Sequence, residues 1–179
     1  MTQPTIIFDK YMLRDINISD TKDMYEYGTD PEVIKFLSWG PYHDLNEAYA
    51  SIKGYFLKRP LFNLPVGYAI IDLTTNKMIG TVDFHTILEE GVVEAGYALN
   101  RNYWNQGIMT KALKKLIEVG FYYLGYEKII IGHANDNIGS KRVIEKNGFV
   151  FDYEKKYYNR FTGNYEPSSW YYLRKEDFK

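Results

Sequence analysis

Residues 91–125 read GVVEAGYALN RNYWNQGIMT KALKKLIEVG FYYLG, and this stretch decides the fold. Its first part, residues 92–99, is β-leaning and is interrupted by Gly96, as a strand with a bulge would be. A polar and aromatic turn follows and closes at Gly107. Apolar residues then recur on one face of a predicted helix over 109–124, with lysines on the other face. We therefore predict a strand, a glycine turn and a helix in succession.

A glycine turn that leads from a strand into a helix presents free backbone N–H groups and the positive helix end to an anion. The turn before Thr110 therefore predicts a phosphate cradle, and a plain strand-to-helix connection is the alternative. Two other phosphate motifs are absent, because the sequence contains neither Gly-x-x-x-x-Gly-Lys-Ser/Thr nor Gly-x-Gly-x-x-Gly.

The segment 102–113, NYWNQGIMTKAL, resembles the acyl-CoA pyrophosphate loop of the GNAT acetyltransferase superfamily. It is most similar to the branch of ribosomal-protein alanine N-acetyltransferases, whose loop usually has glycine in place of Asn105 and glutamate in place of Lys111. Asparagine tolerates left-handed backbone better than most residues, and the lysine lies on the helix flank. A second segment, 137–149, resembles the family's Asn-x-x-Ser stretch ending in Glu-Lys-x-Gly-Phe. Motifs in residues 13–48 extend the resemblance over most of the chain.

The apolar run 128–131 follows the central helix, so we expect it to lie parallel to the strand 92–99. The resemblance implies an α/β fold with a mixed, strongly twisted central sheet, flanking helices and a splayed parallel strand pair. Without a repeat or linker, we expect a single N-acetyltransferase domain over residues 1–179. If the parallel strands splay after Gly96, the backbone beyond it could pair with an acyl-pantetheine arm as an added strand would.

The resemblance thus implies that the chain binds acetyl-CoA as its co-substrate. The diphosphate is expected on the loop amides and the pantetheine on the strand edge. The residues expected to contact the coenzyme are Tyr97, Ala98, Leu99, Asn105, Gln106, Gly107, Ile108, Met109, Thr110, Asn137 and Ser140.

A base is needed, because only a neutral amine attacks a thioester, and a hydroxyl near the departing sulfur can hydrogen-bond its developing charge or relay a proton to it. Glu94 matches a glutamate common in the family and is our predicted base, with a solvated strand carboxylate as the alternative. The resemblance places the Ser140 hydroxyl near the departing thiolate. Many relatives carry a tyrosine acid where this chain has Ile144, so Ser140 or another tyrosine, with Tyr171 as a candidate, must replace it.

Four aromatic residues are candidates for walls of the acceptor cleft, with a purely structural packing role as the alternative: Trp39, Tyr42, Tyr103 and Trp104.

A peptide α-amine, with a pKa of about 8, is partly neutral at pH 7 and needs only a modest base. The acceptor is therefore expected to be a primary amine, either a protein N-terminus or a small molecule.

Bulk composition excludes several other classes of protein. The 179 residues carry a formal net charge of −1, so nothing indicates nonspecific attraction to nucleic acid or to a membrane. The chain has no cysteine, and its three histidines show no metal-ligand spacing, so we expect neither a thiol nucleophile nor a metal. No signal peptide or membrane span is evident, which predicts a cytoplasmic protein. We expect a monomer or a homodimer. A non-catalytic acyl-CoA sensor and a purely structural interaction module are the alternative functions.

Overall fold

The computed structural model describes residues 3–179, so Met1 and Thr2, at which the predicted domain begins, lie outside the described residues. The α-helices are α1 (Thr21–Gly28), α2 (Pro31–Ile34), α3 (Leu45–Ser51), α4 (Ile108–Glu118) and α5 (Ile138–Lys146). The strands are β1 (Ile6–Phe8), β2 (Tyr11–Asp15), β3 (Tyr68–Asp72), β4 (Lys77–Glu89), β5 (Val92–Leu99), β6 (Lys128–Ala134), β7 (Val150–Asn159) and β8 (Asn164–Arg174).

The eight strands form one mixed sheet in the order β1-β2-β3-β4-β5-β6-β8-β7. All neighbouring pairs are antiparallel except β5 and β6, which are parallel because α4 returns the chain between them. The predicted α/β class and the predicted parallel pair are therefore confirmed.

The parallel pair separates partway along its length. Its register runs from Val92 opposite Lys128 to Ala95 opposite Ile131, although β5 continues to Leu99 and β6 to Ala134. Beyond Ala95, no strand in residues 3–179 pairs with this edge of β5. The sheet is thus splayed from Gly96 onward, as expected.

The predicted bulge at Gly96 is wrong. The register between β4 and β5 shifts on the β4 side, where Phe84 and Thr86 face consecutive β5 residues and His85 is the extra residue. A Cβ on Gly96 would lie 3.0 Å from the Cδ2 atom of His85. The glycine therefore allows close approach of a neighbouring ring, which is the packing role that glycine often has inside a strand.

Apolar side chains pack on both faces of the sheet. One cluster joins α4 and α5 to the sheet, and includes Leu113, Leu116 and Ile144 at no solvent exposure. The other joins α1 and the segment after α3 to the opposite face, and includes Met24 and Ile52. The loop predicted to bind the coenzyme, residues 102–107, precedes α4, so the first cluster anchors the helix whose N-terminus forms the candidate site.

Three predicted helices are shorter than expected. The helix predicted over 109–124 is α-helical only from Ile108 to Glu118 and then becomes π-helical. Apolar spacing also predicts helices over 31–37 and 45–56, but the first ends at Ile34 and the second is α-helical only to Ser51. A π-helical turn over Ile52–Phe56 follows, and both of its end residues remain buried. Apolar spacing indicates contact with the core, but it does not distinguish a π-turn from a continuous α-helix.

Candidate active site

A cleft of about 570 Å³ opens where β5 leaves β6. It is bounded by the free end of β5, the loop before α4, the first turns of α4 and α5, and the residues after α2. Every predicted coenzyme-binding residue except Gln106 lines it. These lining residues are Tyr97, Ala98, Leu99, Asn105, Gly107, Ile108, Met109, Thr110, Asn137 and Ser140.

The N-terminus of α4 is open toward this cleft. Gly107 precedes the helix with a φ of 74°, and no side chain caps the first turn. Asn105 is also left-handed, with a φ of 58°, so the two residues turn the loop sharply into the helix. The N–H groups of Ile108, Met109 and Thr110 cannot bond within the helix and are free to meet an anion. Gln106 is exposed, and its side chain donates to the carbonyl oxygen of Asn102 at 3.1 Å.

Ser140 lies in the first turn of α5 and faces Tyr97 on β5. The side chain of Asn137 caps this helix, because its Oδ1 accepts from the Ser140 N–H at 3.0 Å. The Tyr97 hydroxyl lies 2.7 Å from the Ser140 Oγ. Sequence reasoning gave Tyr97 a backbone role only and missed its hydroxyl, which no local pattern indicates.

Glu94 lies outside the cleft lining, on β5 two residues before the splay. Its Oε1 lies 3.6 Å from the Nε2 of His85, the extra residue of β4 whose ring covers Gly96. The pair therefore sits beside the point where β5 and β6 separate. His85 was also missed by sequence reasoning, because its place depends on the β4 register irregularity.

Tyr171 on β8 is buried and does not line the cleft. Its hydroxyl lies 3.5 Å from the Nε2 of His133, and the two rings are 5.5 Å apart. Burial raises the pKa of Tyr171, and the negative charges of Glu145 and Glu154 raise it further. Its candidacy as the proton donor stays a prediction.

The four predicted aromatic walls divide into two pairs. Tyr103 and Trp104 line the cleft, and the Trp104 indole donates to the carbonyl oxygen of Leu99 at 2.8 Å. Trp39 and Tyr42 do not line it; their rings stack with centroids 5.3 Å apart and pack against the cluster under α1. The structure thus brings only the first pair to the cleft.

The charged residues of the cleft lining are mostly cationic. Lys35, Arg142 and Lys146 line it together with a single carboxylate, Asp136. Lys35 pairs with Glu32 at 2.6 Å, whereas neither Arg142 nor Lys146 forms an ion pair within residues 3–179. On a chain of formal net charge −1, this local excess of positive charge favours a polyanionic ligand.

Two other site types have little support in residues 3–179. There, no group of three or more His, Asp or Glu side chains is placed to hold a metal ion. Nor is any helix of that range both long and apolar enough to cross a bilayer.

The open helix end, the splayed parallel pair and the cationic cleft together fit a ligand that carries phosphate groups and an amide-bearing arm. The GNAT acetyltransferase domain model matches residues 10–150, and the chain belongs to this family. It is 31% identical over 157 residues to the uncharacterized N-acetyltransferase p20 of Bacillus licheniformis, and the matched region covers 84% of this chain and 88% of p20. The chain is therefore an N-acetyltransferase by family.

Solved structures share the whole fold. A ribosomal-protein-S5-alanine acetyltransferase from Vibrio fischeri superposes with a TM-score of 0.84 at 23% identity, over 98% of this chain and 99% of that one. A ribosomal L7/L12 α-N-protein acetyltransferase in complex with coenzyme A gives a TM-score of 0.83 at 21% identity, over 96% and 98% of the two chains. The GNAT-like sheet predicted from the sequence is thus confirmed.

Proposed function

We propose that the chain transfers an acetyl group from acetyl-CoA to a primary amine in a ternary complex. The observation that carries this proposal is the continuity of two features within one cleft. The uncapped N-terminus of α4 faces the cleft, and so does the unpaired edge of β5 beyond Ala95. A diphosphate fits the first feature and an amide-bearing arm fits the second.

Acetyl-CoA would lie across these two features. Its diphosphate meets the amides of residues 108–110, and its pantetheine amides pair with the backbone of residues 97–99. Arg142 and Lys146 line the same cleft and complement the remaining phosphate charge. The thioester then lies where the strands begin to diverge, within reach of Ser140.

The chemistry needs no covalent enzyme intermediate. The amine lone pair forms the new C–N bond, and the added nitrogen loses a proton to Glu94, directly or through one water. When the C–S bond breaks, its electron pair stays on sulfur, and the Ser140 hydroxyl stabilises that charge by a hydrogen bond. Glu94 lies on β5 beside the separation of β5 and β6, next to the position proposed for the thioester.

The acceptor class follows from the modest strength of this base. An α-amine with a pKa of about 8 is partly neutral at pH 7, whereas a lysine amine of pKa about 10.4 would first cost about 4–5 kcal/mol to deprotonate. We therefore propose a protein N-terminal α-amine or a weakly basic small amine as acceptor. The two solved relatives above that act on ribosomal proteins are consistent with the first choice.

A single-turnover assay tests the function. The protein is incubated with acetyl-CoA and a panel of peptides with free or blocked N-termini, small amines and free lysine, and products are measured by mass spectrometry. We expect acetylation of at least one α-amine or weakly basic amine. Coenzyme binding without transfer to any amine would instead support the sensor, and a lack of coenzyme binding would refute both.

A further inference from the structure

A short hydrogen bond joins β5 to α5 across the wall of the cleft. The Tyr97 hydroxyl lies 2.7 Å from the Oγ of Ser140 and 3.2 Å from the backbone oxygen of the same residue. Tyr97 follows Gly96 directly, at the splay, and both hydroxyl-bearing residues line the cleft. The phenol therefore connects the diverging strand to the helix turn that carries the predicted proton donor.

The number of protons in this pair restricts what Ser140 can do. Each hydroxyl carries one proton, and both acceptors near the Tyr97 phenol belong to Ser140. If the phenol donates to Oγ, the serine proton is free to point elsewhere. If the serine donates to the phenol, its proton is used and is lost to any ligand.

The distances favour the first arrangement. The Ser140 Oγ, at 2.7 Å, is nearer to the phenol oxygen than the Ser140 carbonyl oxygen, at 3.2 Å. Burial raises the pKa of Tyr97, so the phenol keeps the proton that it donates. An anion in the cleft that needs the serine proton selects the same arrangement.

We propose that Tyr97 is a positioning residue for acetyl transfer, whose phenol donates to the Ser140 Oγ and thereby turns the serine proton toward the departing sulfur. The inference rests on the proposed function of this site. In the step concerned, the C–S bond breaks and its electron pair stays on sulfur, while the carbonyl of the acetyl group is restored. Neither hydroxyl gives up its proton, and the thiolate takes its own proton from solvent after release.

Serine needs such a partner because it lies in a helix. A serine hydroxyl in a helix readily turns back to a carbonyl one turn earlier in the chain. With its Oγ occupied by the phenol, Ser140 is held in the rotamer that faces the cleft. Loss of the phenol should therefore weaken thiolate stabilisation while the serine itself remains.

Coenzyme A itself, without any amine, provides the test. Its thiol is titrated in the complex by the ultraviolet absorbance of the thiolate, in the wild-type protein, Tyr97→Phe, Ser140→Ala and the double variant. A hydrogen bond to a charged group corresponds to a shift of about one pH unit, so we expect the bound thiol to ionise about one unit higher in each single variant. The double variant should show no increase beyond that of Ser140→Ala.

Tyr126→Phe is the matched control, because its half-buried ring packs on Phe84 with centroids 5.2 Å apart, outside the cleft lining. It should leave the ionisation midpoint of the bound thiol unchanged.

In turnover, Tyr97→Phe should lower kcat about tenfold with little change in the KM for acetyl-CoA, as expected when one positioned donor to a developing anion is weakened. Ser140→Thr, which keeps the hydroxyl, should restore most of the activity lost in Ser140→Ala.

Each contrary result has a distinct meaning. Equal midpoints in the wild-type protein and Tyr97→Phe would overturn the inference, as would an effect of Tyr97→Phe that persists in the Ser140→Ala background. If Tyr97→Phe does not fold, the comparison of Ser140→Ala with Ser140→Thr decides, and an unshifted thiol in both overturns it. Failure of the wild-type protein to bind coenzyme A would refute the proposed function itself.

Discussion

Gly107 directly precedes α4 and sets the position of its first backbone amides. The left-handed backbone conformation at this position favours glycine. Its φ is 74°, and a Cβ there would meet no atom within 4 Å, so a side chain would cause conformational strain and no clash. Left-handed backbone costs other residues about 1–2 kcal/mol. We expect Gly107→Ala to lower the free energy of unfolding by about 1 kcal/mol and to weaken acetyl-CoA binding several-fold, because the relaxed loop shifts the amides. Urea denaturation and calorimetric titration measure the two effects.

Gly54→Ala is the control for this substitution. Gly54 also has open space around it and lies in the helical turn 52–56 without a left-handed φ, so Gly54→Ala should leave the coenzyme affinity unchanged and should not lower the free energy of unfolding. Unchanged coenzyme affinity in Gly107→Ala would contradict the cradle at this helix end.

Glu94 is the residue on which the proposed base depends. Glu94→Gln keeps the shape of the side chain and removes its ability to accept a proton, so kcat should fall about 100-fold. The affinity for acetyl-CoA should not change, because Glu94 lies outside the cleft lining. The remaining activity should rise with pH, as more of the amine is neutral without help. Steady-state rates measured across pH test both expectations. Glu89→Gln, at the exposed end of β4, is the control. An unchanged kcat in Glu94→Gln would exclude Glu94 as the base.

At the scale of single residues, the sequence identified candidates but not their partners. The Asn-x-x-Ser pattern located Ser140, yet its contact with Tyr97 joins residues 43 positions apart and depends on how β5 and α5 pack. The contact of His85 with Glu94 likewise depends on the irregular β4 register. Such contacts arise from tertiary geometry, and no local pattern encodes them.

Among the helices, α5 supplies the unpaired positive charge of the cleft. Arg142 and Lys146 are one turn apart on it and line the cleft, whereas Lys141 does not line it and lies 3.9 Å from Glu145. Replacing both lining cations by alanine should weaken CoA binding about fivefold at low salt, since exposed charge pairs contribute about 0.2–1 kcal/mol each. The difference should shrink as salt rises.

Calorimetric titration with coenzyme A at low and high salt measures this difference, and Lys141→Ala serves as the control on the same helix. Equal losses in Lys141→Ala and in the double variant would mean that general surface charge is responsible. A loss that does not depend on salt would indicate a structural effect on α5.

At the scale of elements, the order of strands and helices could be predicted better than their ends. A helix between two apolar strands predicted the parallel pair, whereas the splay of that pair was expected from the family resemblance, and both are present in the structure. The ends of α2 and α3 were missed because periodic apolar residues continue into turns that are buried but not α-helical. The spacing of apolar residues reports burial first and helix type second.

The whole molecule has packed faces on both sides of its sheet, and one buried ion pair lies close to the splay. The Nη1 of Arg59 lies 3.1 Å from the Oδ1 of Asp83, with side-chain exposures of 4% and 7%. Asp83 is the β4 partner of Gly96, and the guanidinium lies 4.4 Å from the ring centroids of both Tyr55 and Phe56. The pair thus links the segment after α3 to the strand that borders the site.

Breaking this pair should affect the stability of the entire fold. Removing one partner leaves a buried charge without compensation, which costs about 3–5 kcal/mol, so we expect that loss of unfolding free energy for Arg59→Met and for Asp83→Leu. The double variant should lose less than the sum of the two, because no uncompensated charge remains. Urea denaturation of the four proteins gives the coupling free energy. Single losses within about 1 kcal/mol, the range of exposed ion pairs, would show that solvent already reaches the pair and that the two segments are held together by apolar contact alone.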